Sequence, residues 1–184
     1  MNESRRDKFE NTIRLEELDP KNTLQRAGFK SNMILCDIGA GTGIFSFPAA
    51  AISKNDIYAL EISDKMIELL ESRIEERGIK NLIVKKVETD RLPIEEKSCD
   101  FVLLSTVFHE IDNKTVLLGE IKRILNKNGK LLIIEFHKIK TPMGPLIDHR
   151  ISEESVEEIC ISNGFKTLDK VVLGDNYYYI LFEN

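Results

Sequence analysis

Met33 to Phe47 reads MILCDIGAGTGIFSF, an apolar run that meets an aspartate, three alternating glycines and a second apolar period. The pattern predicts a strand that feeds a glycine-rich turn and opens a helix. Gly39, Gly41 and Gly43 carry no Cβ, so a ligand can lie against the backbone, and the helix that follows is expected to offer unpaired N–H groups. Asp37, two residues before the first glycine, sets the charge of that ligand. A carboxylate there would repel a pyrophosphate, whereas it suits a group carrying an ammonium and a sulfonium. Ile44 stands where the dinucleotide fingerprint requires its third glycine, and no Lys followed by Ser or Thr directly follows Gly43, which argues against a P-loop.

Outward from this stretch, strands and helices alternate. Asp56 to Glu61 reads as a second strand and Asp64 to Arg77 as an amphipathic helix stopped by Gly78, with Met66, Leu69, Leu70 and Ile74 on one face. Further strands are expected at Leu82 to Val87, Asp100 to Leu104 and Lys130 to Phe136, with a helix near Lys114 to Leu125. Continuous apolar runs such as FVLL and LLII predict an α/β fold whose parallel sheet is covered on both faces. Ligands in such sheets bind beyond the carboxyl ends of the strands, where the glycine turn lies. The last third departs from the alternation. His137 to Arg150, with Pro142, Gly144 and Pro145, reads as a long loop; Ser152 caps a helix to Asn163; Phe165 to Leu173 and Tyr177 to Phe182 form a hairpin across Gly174, Asp175 and Asn176. At the other end, Arg5 to Leu18 predicts a helix and Pro20 opens a second, and Pro48 is expected to kink the helix that follows the glycine turn.

The length of 184 residues suits one domain with a substantial core. Met1 to Asn11 is charged, and no apolar run approaches the roughly 20 residues that cross a bilayer, so a cytoplasmic protein without a membrane span is expected. Cys36, Cys99 and Cys160 have neither paired spacing nor an accompanying His pair, which suggests no disulfide frame and no metal site. A formal charge of −5 gives no global attraction to nucleic acid, so none is expected as partner.

The stretch Asp37-x-Gly39-x-Gly41-x-Gly43 resembles the first motif of class I S-adenosylmethionine-dependent methyltransferases, and the chain is similar to the small, ubiquinone/menaquinone-type methyltransferase-like group. The resemblance implies a Rossmann-like, seven-stranded, mostly parallel sheet with an antiparallel C-terminal hairpin. It implies a single methyltransferase domain over residues 1–184, with 1–30 as an N-terminal helical cap and 31–184 as the core. It also implies S-adenosylmethionine as cofactor, held by Asp37, Gly39, Ala40, Gly41 and Gly43. Glu61, 18 residues after Gly43, would accept from the ribose hydroxyls, with Ile62 on the adenine face. VETDRLP resembles the third-strand motif and assigns Glu88 and Thr89 to the adenine, with Asp90 as an alternative acid. STVFHEI resembles the family beyond the fourth strand: Ser105 would touch the amino-acid portion of the cofactor, and His109 would line the substrate pocket or act as general base.

Glu135, Phe136 and His137 end the fifth strand facing the crevice, and the TPMGP loop after them, with Met143, is placed to cover a substrate. No nucleophile is evident, and methyl transfer by in-line displacement needs none. The expected function is transfer of a methyl group to a small-molecule acceptor. No Asn-Pro-Pro, Asp-Pro-Pro or Pro-Cys pair points to a nucleic-acid base, and a small, apolar, quinone-like or lipid-derived acceptor is favoured. The alternative is a non-catalytic S-adenosylmethionine-binding protein, a sensor or partner subunit; an NAD-dependent oxidoreductase is disfavoured by Asp37 and Ile44. The residues do not specify the oligomeric state.

Overall fold

A computed structural model describes residues 10–184. The expected helix from Arg5 therefore lies partly outside the described residues. Seven strands form one sheet in the order β3-β2-β1-β4-β5-β7-β6. Two compact units divide the chain after Pro93.

In the first unit, α1 (Thr12–Leu18) is capped by Asn11, whose side chain accepts from the Arg14 N–H, and α2 (Pro20–Arg26) starts on its proline. Strand β1 (Leu35–Ile38) pairs in parallel with β2 (Ile57–Glu61), and β2 with β3 (Leu82–Lys86), so that Asp37 lies beside Ala59 and Glu61 beside Lys86. All four residues of β1 are buried, as a strand covered on both faces requires. Helix α4 spans Asp64–Arg77, and Gly78 adopts φ +62°, its N–H closing on the Ile74 and Glu75 carbonyls. Helix α3 (Ser46–Ile52) corrects one expectation. Because it begins at Ser46, Pro48 lies in the first turn, where N–H groups have no intrahelical acceptor, and the missing donor costs no helical hydrogen bond.

The second unit holds β4 (Cys99–Ser105), α5 (Lys114–Ile124), β5 (Leu125–Phe136), α6 (Glu153–Ser162), β6 (Lys166–Leu173) and β7 (Tyr177–Glu183). β4 and β5 run parallel, while β5–β7 and β6–β7 are antiparallel, giving the expected terminal hairpin. β5 begins five residues earlier than the turn-like NKNG suggests. The chain passes Asn128 at φ +62° and shifts register between the Cys99–Leu125 and Phe101–Lys130 pairs, so pairing continues through a bulge. Ser152 caps α6 by accepting from the Ser155 N–H, with Glu153 and Glu154 in the first turn. Tyr177 to Phe182 are all buried, and each such side chain contributes about 1.5–3 kcal/mol over its exposed state. Cys36, Cys99 and Cys160 are buried and form no disulfide among the described residues, and burial pushes the Cys160 thiol up to about 12. Among the described residues no helix is long and apolar enough to cross a membrane.

Candidate functional site

The first unit carries the glycine turn. Asp37 is 2% exposed, and its Oδ2 accepts from the Ser46 hydroxyl at 2.5 Å. Burial raises its pKa to about 7; the Ser46 hydrogen bond works against this and the nearby Glu61 charge adds to it. Glu61 is buried, and it is not a solvated acid. Its Oε2 accepts from the Gly41 N–H at 2.9 Å, and its Oε1 from the Ile62 and Ser63 N–H groups at 2.8 and 3.0 Å. The carboxylate therefore fastens the turn to the end of β2.

The turn's amides are also committed. Gly39 and Ala40 donate to the Leu60 carbonyl at 2.8 and 3.0 Å, and Gly43 donates to Ala40 at 2.9 Å. These amides belong to the turn, and α3 opens at Ser46, three residues past Gly43, so the turn itself is not an anion nest.

The glycines divide by role. A Cβ on Gly43 would fall 2.5 Å from the Phe47 ring and 2.8 Å from Leu70, so this glycine serves packing. A Cβ on Gly41 would meet only the Gly39 carbonyl at 3.9 Å, which leaves that side of the turn open. Next to it, the buried Thr42 hydroxyl has no hydrogen-bond partner among the described residues, while the Thr42 carbonyl accepts from Arg73 at 2.7 Å. Ile62 is 72% exposed directly after Glu61. An open backbone, an orphaned hydroxyl, a buried carboxylate and an uncovered aliphatic side chain fit a ligand with a cationic end and a flat apolar ring. Glu88 and Thr89 follow β3, which ends at Lys86, and both are exposed; the Val87 N–H donates to the Glu61 carbonyl at 3.0 Å. Thr89 bonds only locally, its hydroxyl 3.3 Å from the Arg91 N and O, and Asp90 is likewise exposed.

In the second unit, Ser105 ends β4 with its hydroxyl buried and without a hydrogen-bond partner among the described residues. Thr106 then takes φ +57° and donates to the Ile134 carbonyl at 2.7 Å, turning the chain into a 3-10 turn over Phe108–Glu110. That turn sets His109 against Glu135, a residue 1% exposed near the end of β5. His109 Nδ1 lies 2.8 Å from Glu135 Oε2, and the His109 backbone N–H donates to Glu135 Oε1 at 3.1 Å. Burial pulls the imidazole pKa down, yet the hydrogen bond and charge of Glu135, with the charge of Glu110, outweigh it and leave the pKa raised.

His137 and Met143 meet at Asn176, whose carbonyl accepts from the His137 N–H and whose side chain accepts from the Met143 N–H. The His137 ring sits 5.5 Å from that of Tyr178. The buried Arg150 donates to the carbonyls of His137, Ile139, Met143 and Pro145 and to the Thr141 hydroxyl, so the loop is held by one cation more than by its prolines. Sequence reasoning did not assign roles to Glu135, Arg150 and Asn176. Glu135 had a signal, a lone acid inside the apolar LLIIEF run; the other two carry none outside the fold.

Residues 29–184 match the family model described as "Methyltransferase domain". The chain belongs to this family. It is a class I methyltransferase by family and fold, and the cofactor of that class is S-adenosylmethionine. The chain is 27% identical over 128 residues to the ubiquinone/menaquinone biosynthesis C-methyltransferase UbiE of Bordetella avium, covering 68% of this chain and 50% of that protein. With UbiE of Laribacter hongkongensis it shares 28% identity over 128 residues, covering 68% and 52%. The chain thus spans about half the length of the relatives it matches. A crystal structure of a S-adenosylmethionine-dependent methyltransferase from Aquifex aeolicus superposes with a TM-score of 0.91 at 25% identity, covering 100% of this chain and 98% of that one. One from Mesorhizobium loti, at 13% identity and a TM-score of 0.73 over 89% and 96% of the two chains, shares the fold.

Proposed function

We propose that the chain transfers the methyl group of S-adenosylmethionine to a small-molecule acceptor by in-line displacement, in the cytoplasm. The observation that carries this reading is the buried Asp37 carboxylate beside the open face of Gly41. Among the described residues no cation pairs with it, and a bound cation would supply the counter-charge. Asp37, Gly39, Ala40, Gly41 and Gly43 would hold the amino-acid and sulfonium end, with Thr42 and Ser105 offering unpaired hydroxyls to polar groups. Glu61 would take the ribose, exchanging part of its bonding to the Gly41, Ile62 and Ser63 amides; Ile62 would cover the adenine and Glu88 with Thr89 would address its edge.

When bound, the donor supplies an activated methyl on sulfur, so the chain's residues need only align the acceptor and exclude water. His109, His137 and Met143 are the acceptor-side residues of this proposal. The loop that carries Met143 exposes Ile139, Leu146 and Ile147, which suits an apolar acceptor, and the relatives, ubiquinone/menaquinone biosynthesis C-methyltransferases, point to the same chemical class. Incubation of the purified chain with S-adenosylmethionine and a metabolite extract tests the reading. Release of S-adenosylhomocysteine that disappears in Glu61→Ala supports it; binding without any release would make the chain a sensor or partner subunit instead.

A further inference from the structure

Glu135 stands in the apolar run Leu131 to Phe136, where a carboxylate has no water to solvate it. Both of its oxygens are satisfied by one residue: Oε1 by the His109 backbone N–H and Oε2 by the His109 ring at Nδ1. Two bonds from one residue fix the ring in position as well as in orientation. A carboxylate accepts only, so in the neutral imidazole the proton sits on Nδ1 and the lone pair on Nε2. No other hydrogen-bond partner of Glu135 is found among the described residues, so the acid does nothing else in the fold that a hydrogen bond records.

We propose that Glu135 is a positioning residue that presents His109 Nε2 as the base of the methyltransferase, and that the acceptor is a compound whose reacting group carries a dissociable proton. The inference rests on the methyltransferase reading above. The step balances as follows. The acceptor atom uses its electron pair to bond the methyl carbon, the carbon–sulfur bond breaks with its pair going to sulfur, and the acceptor's proton passes to Nε2. The imidazolium so formed is held by the buried carboxylate at Nδ1, as in any base oriented by an acid.

The surroundings of the ring agree with this assignment. Glu110 Oε1 lies 3.8 Å from Nε2 on a mostly exposed side chain, which leaves the lone pair free while favouring the cation once it forms. Lys114, at the start of α5, opposes protonation. Tyr178, on β7, feels the Glu135 charge but donates its hydroxyl to the Ile151 carbonyl at 3.0 Å, and burial keeps its phenol protonated, so it does not compete as base.

Nitrogen-15 NMR of the His109 ring tests the assignment without any acceptor. The expected spectrum of the neutral ring shows Nδ1 protonated and Nε2 bare, and Glu135→Gln lowers the titration midpoint by about one pH unit, a tenfold loss of proton affinity. A neutral ring protonated at Nε2, or a midpoint that Glu135→Gln leaves in place, overturns the proposal; the first needs no variant and so survives a misfolded one. A panel of phenols, amines and thiols against thioethers and pyridines, offered with S-adenosylmethionine, reads the acceptor class. Turnover confined to proton-bearing acceptors, with an acid limb that moves to lower pH and kcat down at least about tenfold in Glu135→Gln at unchanged KM for the donor, supports it. Turnover confined to the proton-free acceptors overturns it while the methyltransferase reading stands. Failure to bind S-adenosylmethionine at all removes both.

Discussion

Asp37, Gly41 and Gly43 can be separated by experiment. The ordinary pKa of Asp37 is 3.8 and its folded value about 7, so between those limits the folded state holds a proton that the unfolded state has lost. Stability attached to this group is therefore complete below about pH 4 and is lost as pH rises through 7. Asp37→Asn, which stays neutral, should melt close to the wild type at pH 4 and above it at pH 8, a difference that pH-dependent calorimetric scans would show. Gly43→Ala drives a Cβ into Phe47 and Leu70 at φ +85° and is expected to cost about 2–4 kcal/mol in urea unfolding. Gly41→Ala meets no side chain and carries only the backbone strain of φ +55°, about 1–2 kcal/mol, yet it should weaken donor binding more than Gly43→Ala destabilises the turn's ligand-free form.

Among the elements, the 137–150 loop depends on Arg150. Its guanidinium donates to four carbonyls and one hydroxyl and stacks 5.5 Å from the Phe136 ring. Arg150→Met keeps most of the apolar stem but removes the donor to the His137, Ile139 and Pro145 carbonyls, leaving the Met143 carbonyl its bond from the Thr141 hydroxyl, so a loss of about 3 kcal/mol is expected together with faster amide hydrogen exchange at Thr141 and Met143. Local elements were legible where local chemistry decides them. Asp64 to Arg77 carries its own period and its own glycine stop, and Ser152 its own cap, so both helices were read to within a residue. β5 was misjudged at its start because NKNG has turn chemistry, and only pairing with Cys99 keeps it in the sheet. The site was legible as far as the motif and Glu61; the engagement of Glu61 with the turn amides, and of Glu135 with His109, depends on neighbours 20 and 26 residues away.

At the scale of the whole molecule, the strand order comes from the structure, while the alternation of strand and helix and the terminal hairpin were visible in the run of residues. The contribution of the N-terminal segment was not. Within the first unit, Arg73 on α4 is shared between Glu10 and the Thr42 carbonyl, which ties the start of the described chain to the glycine turn. Arg73→Met should loosen donor binding several-fold without touching the donor, whereas Glu10→Gln should do so less, since the Thr42 bond remains. Calorimetric titration with S-adenosylmethionine at pH 7, in buffers of different ionisation enthalpy, bears on the whole assignment. One donor should bind per chain and release part of a proton as Asp37 ionises against the cation, with the release absent in Asp37→Asn and affinity lost in Glu61→Ala. No binding, or binding indifferent to both substitutions, would contradict the assignment of this turn as the methyl-donor site.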